Sequence, residues 1–201
     1  LDNLARRGDS VSFRAIWIDE GNDAAYVKLR AAGITAPYFS VGDPRVTSAY
    51  LDAVARAGFA PGVYAAWGWQ PDLSGSQFAE WVSSQVRYIG WKGNPPVCIN
   101  DETHDPARIL ALFRRWRELR PKRETWWTFE GMQGGWVEGI AAALVELGVR
   151  FAPQFYRGDM TPHPHSPIID LLIAGVPGDR LDGMYDAADL PYRWRGFAFT
   201  Q

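Results

Sequence analysis

Short runs rich in β-branched and aromatic residues alternate with longer segments whose apolar residues recur at helical spacing, and the alternation continues along the whole chain. FRAIWID at 13–19 predicts a first strand, and the segment 23–32 a helix that Gly33 ends. APYFSV at 36–41 predicts the second strand. Gly42 then turns the chain, and a helix is expected to start at Asp43, with Pro44 in its first turn, and to end at Gly58. The third strand, PGVYAAW at 61–67, leads through a polar loop to a helix over 76–89, where Phe78, Trp81, Val82 and Val86 share one face. PVCINDE at 96–102 reads as the fourth strand, followed by an Asp105–Pro106 helix start and the periodic segment ARILALFRRWRELR. ETWWTFE at 124–130 with a helix over 136–147 forms the fifth unit, and RFAPQFY at 150–156 is the sixth strand. After the Pro- and Gly-rich stretch GDMTPHPHSP and a short helix at 168–174, LDGMYDA at 181–187 and GFAFTQ at 196–201 complete the strands.

Eight strands joined by seven connections predict an α/β fold, a compact (β/α)8 TIM barrel whose last helix is missing or reduced. Residues 1–12 are expected to be a lead-in and 13–201 a single barrel domain. A doubly wound open sheet is the competing architecture, but it favours a Gly-rich phosphate turn after an early strand, and the first turn here reads DEGND.

Composition narrows the partners. The 201 residues are 47% hydrophobic, enough to bury one core, and 21 Lys and Arg stand against 23 Asp and Glu. That balance gives no electrostatic footprint for nucleic acid or an anionic membrane surface. No run approaches a bilayer span, the N-terminal LDNLARRGDS carries no signal-peptide pattern, and the single Cys98 forms no intrachain disulfide. Ten Trp, eight Tyr and ten Phe are the compositional oddity: flat rings serve sugar sites, and they also fill cores.

In a barrel of this kind, side chains at the C-terminal ends of strands converge on one rim. Asp19 and Glu20 close the first run, Asn100, Asp101 and Glu102 the fourth, Glu130 the fifth, and Tyr156, Asp186 and Gln201 the later ones. Alternation puts Cys98, Asn100 and Glu102 on one face of the fourth strand and Asp101 on the other, which makes Asn100 and Glu102 the expected inward pair. Glycoside hydrolysis needs a protonated carboxyl for the leaving oxygen and a second carboxylate about 5–9.5 Å away. Glu102 is the expected acid, Asp19 the preferred second carboxylate and Glu130 the next. The competing reading of such acids is helix capping, which suits Asp43 and Asp105, each immediately before Pro. Trp67, Trp69 and Trp127 are candidate sugar platforms, with Asn100, Tyr156, Asp186 and Gln201 as polar binding groups. His104, two residues after Glu102, is either a tuning group or a solvated loop residue. His163 and His165 form an H-x-H that lacks a third metal ligand; a metal-dependent hydrolase built on it would lose activity on chelation. No metal is expected, because that third ligand is missing, and no cofactor, because the phosphate-binding Gly motifs are missing; the G-x-S-x-G elbow of a serine nucleophile is missing too.

Through Asp19 in WID, Asn100 and Glu102 in INDE and Gln201 in FTQ, nearly the full chain resembles compact barrel glycoside hydrolases of the family twenty-five lysozyme type and related actinobacterial glycoside-hydrolase-like domains. The resemblance implies an acid on strand one and a D-x-E pair ending strand four. Here that pair reads N-x-E, which keeps Glu102 as proton donor and removes one carboxylate. WIDEGND, YFSV and FAFTQ also look like barrel modules of minor tail proteins from phages of actinobacteria. That resemblance implies a virion-tail or extracellular setting, cell-envelope polysaccharide or peptidoglycan as partner alongside other tail proteins, and either cleavage of that glycan or adhesion to it by a barrel without catalysis.

Overall fold

The computed structural model describes residues 13–18, 23–31, 34–130, 136–154, 167–181, 183–186 and 197–200. Eight strands close a barrel in chain order: β1 (Phe13–Ile18), β2 (Ala36–Ser40), β3 (Gly62–Ala66), β4 (Val97–Asn100), β5 (Thr125–Glu130), β6 (Val149–Gln154), β7 (Gly183–Asp186) and β8 (Phe197–Thr200). Among the described residues six α-helices, α1 (Asp23–Ala31), α2 (Ser48–Arg56), α3 (Gly75–Ile89), α4 (Pro106–Leu119), α5 (Glu138–Glu146) and α6 (Pro167–Ile173), lie between successive strands from β1 to β7. The chain is therefore an α/β barrel of the TIM type.

The last strand departs from the expected pattern. β1 to β7 pair in parallel, whereas β8 runs antiparallel to both β7 and β1. Only the ten residues 187–196 separate β7 from β8. A parallel return needs a crossover of about a dozen residues or more, so the short connection favours the reversed strand.

Strand alternation divides the core into two layers. Phe39, Val63, Ile99, Trp127 and Phe151 face outward and pack with Leu51 and Val54 of α2, Phe78 and Val82 of α3, Leu112 and Trp116 of α4 and Leu144 of α5. Tyr38, Tyr64, Cys98, Trp126 and Ala152 form a separate inner cluster. Tyr38 pairs with Gly62 across β2 and β3, and a Cβ at 62 would meet the Tyr38 ring at 2.5 Å, so glycine makes room for the ring inside the barrel. At the start of β5 and β6, the Arg150 guanidinium lies 4.3 Å from the Trp126 ring centroid and the indole N–H donates to Glu124 at 3.0 Å. These groups fill the N-terminal end of the barrel, which leaves the opposite rim for chemistry.

Local signals set the helix starts. Ser74 and Gln77 form a reciprocal capping box at α3, and Asp105 accepts from the N–H groups of Ala107 and Arg108 at 3.0 and 3.1 Å, with Pro106 opening α4. Asp43 does not cap α2, contrary to the expected start there. That helix begins at Ser48 under Thr47, whose hydroxyl accepts from Tyr50 N. Asp43–Pro44 instead opens a turn closed by the Val46 N–H on the Asp43 carbonyl at 3.0 Å.

Candidate functional site

The rim is built from the ends of β2, β3 and β4 and the loops that follow them. After β2, the backbone N–H of Arg45 donates to Asp43 Oδ1 at 2.8 Å, and its guanidinium grips both carboxylate oxygens at 2.7–3.0 Å. This Arg45 hydrogen bonding holds the Asp43 carboxyl below the usual carboxylate value. After β3, a 3-10 turn, Trp67–Trp69, puts the two tryptophans to different uses. Trp69 is 40% exposed and its ring lies 5.4 Å from Tyr64. Trp67 is half-buried, with the Arg108 guanidinium 5.6 Å from its ring.

Between these loops and α3 opens a cleft of about 590 Å³. Trp69, Tyr64 and Trp81 give it aromatic walls, and Ser40, Gln70, Gln85 and the Asp43–Arg45 pair edge it. Trp69, an expected platform, is among the residues lining this cleft. Tyr64, Trp81 and Gln85 were not singled out as site residues, because they lie inside a strand or on a helix whose spacing reads as core.

At β4, the strand ends at Asn100, so Asp101 and Glu102 belong to a loop and the pleat does not orient Glu102. Asn100 sits on the inner row: its register partners are Ala66 and Thr128, two residues beyond the inner pairs of Cys98 with Tyr64 and Trp126. Its Oδ1 is buried and has no hydrogen-bond partner among the described residues. Glu102 is half-buried and, like Asn100, is not among the residues lining the cleft. Asp101 is fully buried and points to the helices. It pairs with Arg108 at 3.2 Å and accepts from Thr103 N and Oγ1, while Arg108 also donates to the Leu73 carbonyl. His104 is exposed, adopts a positive φ of 53° and lies 5.4 Å from the Trp136 ring.

Trp127 requires a correction. The strand pleat turns it outward, where it is fully buried against Phe113, Phe129, Trp136 and Phe151, with its indole N–H on the Asp101 carbonyl at 3.2 Å. It offers no face to a ligand. Trp126, its inward neighbour, fills the far end of the barrel. Glu130 ends β5 in register with Gln154, and Asp186 ends β7 in register with Phe197. Asp19, Glu20, Tyr156, His163, His165 and Gln201 lie outside the described residues. Among the described residues no group of three or more His, Cys, Asp or Glu is placed to hold a metal, and no helix is long and apolar enough to cross a membrane.

No protein-family model matches the chain, and no curated protein matches it in sequence. In fold it is similar to the modular autolysin LytC from Streptococcus pneumoniae solved in complex with a synthetic peptidoglycan ligand, with a TM-score of 0.58 and 11% identity over 94% of this chain and 46% of that one. It is also similar to the carboxyl transferase domain of Rhizobium etli pyruvate carboxylase solved with 3-hydroxypyruvate, with a TM-score of 0.53 and 14% identity over 77% of this chain and 27% of that one. The chain thus spans less than half the length of either. At such identities the shared property is the barrel.

Proposed function

We propose that the chain is a glycoside-hydrolase-like barrel that engages bacterial cell-envelope glycan at its C-terminal rim, with Glu102 as proton donor. The observation that carries this reading is the cleft itself. An exposed tryptophan, a tyrosine and a second tryptophan meet Gln, Ser and a carboxylate–guanidinium pair, which is the combination of flat apolar faces and directional polar groups that sugars select. The barrel shared with an autolysin solved with a peptidoglycan ligand supports the same substrate class. Asp19 or Glu130 would supply the second carboxylate, and the virion-tail setting rests on the short sequence stretches alone.

A second reading, binding without cleavage, is favoured by Asn100. This amide stands on the inner row at the end of β4, where the lysozyme-type pattern has an acid, and an amide cannot act as base or nucleophile in its place. Release of reducing ends from purified actinobacterial cell walls by the wild-type chain and by Glu102→Gln separates the two. Hydrolysis requires release that the variant loses by at least about a hundredfold. Equal release by the variant removes Glu102 from the mechanism, and no release by either leaves the adhesion reading.

A further inference from the structure

The near-equal charge totals of the chain conceal an uneven placement. Arginines gather at the N-terminal end of the barrel, opposite the cleft. Arg117, in the last turn of α4, folds its guanidinium into the turn that follows. There Nη1 donates to the Pro121 and Arg123 carbonyls at 3.1 and 3.0 Å, and Nη2 to the Gly148 carbonyl, just before β6, at 3.3 Å. Arg120 donates to the Ser83 hydroxyl and carbonyl at 3.0 and 2.8 Å, and Arg123 to the Pro95 carbonyl at 2.8 Å. Arg180 arrives on another element: it ends the 3-10 turn Gly178–Arg180, and Leu181 after it pairs with Phe151 of β6.

None of these four arginines, nor the exposed Arg87 at the end of α3, pairs with a carboxylate among the described residues. Glu118 engages Arg115 instead, Glu124 accepts from the Trp126 indole, and the exposed Glu146 and Asp179 form no ion pair there. The arginine charges oppose one another. Burial and then the charge of Arg180 hold the Arg117 guanidinium below its ordinary pKa; burial and Arg87 do so for Arg120, and burial and Arg120 for Arg123. Helix capping explains the N–H groups of Arg117 that satisfy carbonyls after α4. It does not explain why Arg117 Nε is buried without a partner, nor the position of Arg180, whose side chain makes no hydrogen bond among the described residues. An anion held between the two groups turns their repulsion into attraction. A phosphate directs its oxygens tetrahedrally and can accept from Arg180 and from the remaining N–H groups of Arg117 at once, whereas a planar carboxylate faces one fork.

We propose that Arg117 and Arg180, reinforced by Arg87, Arg120 and Arg123, form a phosphate-binding site at the N-terminal end of the barrel. The ligand chemistry is the phosphate group, either as the free ion or carried on a polymer. The site is independent of the glycan rim and stands or falls without it.

The test is thermal unfolding of the full chain in sodium chloride, inorganic phosphate, polyphosphate or polyglutamate at one ionic strength, using wild type, Arg180→Gln and Arg56→Gln. Arg180→Gln removes a repelled charge and breaks no hydrogen bond, so it folds. Arg56→Gln removes the same charge from the exposed end of α2. Phosphate strengthens apolar burial in any protein, so the readout is the gain in Tm over chloride, compared between the chains. Wild type and Arg56→Gln gain about 3 °C or more beyond Arg180→Gln at saturating phosphate. That gain with inorganic phosphate assigns the free ion as sufficient, and the gain with polyphosphate alone assigns phosphate borne on a polymer. An equal gain in Arg180→Gln, no gain with either phosphate, or a gain with polyglutamate as large as with polyphosphate overturns the proposal.

Discussion

Arg108 Nε lies 3.2 Å from Asp101 Oδ2, and the pair joins the first turn of α4 to the end of β4 with the carboxylate wholly removed from solvent. Arg108 also donates to Leu73 in the preceding βα loop, so one guanidinium ties together the loops that follow β3 and β4. Removing the carboxylate leaves a cation that is only 11% exposed without its counter-charge. Asp101→Ala is therefore expected to lose about 3–5 kcal/mol in urea unfolding. A loss within the scatter of ordinary surface changes would mean that this pair does not hold the rim.

The two indoles at 69 and 127 are predicted to behave oppositely. Trp127→Ala opens a cavity in the layer between barrel and helices and costs about 3–5 kcal/mol. Trp69→Ala removes an exposed ring, leaves stability within about 0.5 kcal/mol and takes wall binding with it. Thermal unfolding and co-sedimentation of both variants check the contrast. A stable Trp127→Ala protein with impaired binding would reverse their roles.

The turn after β2 predicts a pH dependence. Asp43 has a lower pKa in the folded chain than its ordinary value of 3.8, so its pairing with Arg45 adds stability above that value and loses it as pH falls through the lowered folded value. Arg45 is 62% exposed, which limits the contribution to under about 1 kcal/mol. The Tm difference between wild type and Asp43→Asn should be flat from about pH 5 to 8 and shrink below about pH 4. A difference that grows in acid would contradict the assignment.

Gly75, in the first turn of α3, lies against α4. A Cβ there would fall on the Arg108 carbonyl oxygen and 3.0 Å from Leu112 N, and backbone of this kind has no rotamer with which to yield. Gly75→Ala is expected to cost about 1–3 kcal/mol by forcing the two helices apart, although alanine is the better helix former. Equal or higher stability in chemical denaturation would show that the helices separate freely.

The barrel was legible because each strand and helix carries its own periodicity and each junction its own cap or turn residue, as at Ser74 and Asp105. The direction of β8 was not, since strand periodicity is the same whichever way a strand runs and only the ten-residue connection 187–196 hints at reversal. Asp43 misled because a residue before proline suits a helix start and a turn equally well, and Thr47 four residues later takes the cap. Trp126 and Trp127 have the same composition and neighbourhood; only the register of Trp126 with Cys98 assigns one ring to the interior and the other to the helices. The cleft joins residues 40–45, 64–70 and 81–85, a juxtaposition made by the barrel and carried by no single segment.

The most direct test of glycan engagement at this rim is co-sedimentation of the chain with purified actinobacterial cell walls, with Trp69→Ala alongside. The account predicts that the wild-type chain partitions into the pellet in a saturable way, that Trp69→Ala remains mostly in the supernatant, and that Glu102→Gln pellets like wild type. Wild-type protein that stays in the supernatant at every wall concentration would contradict it.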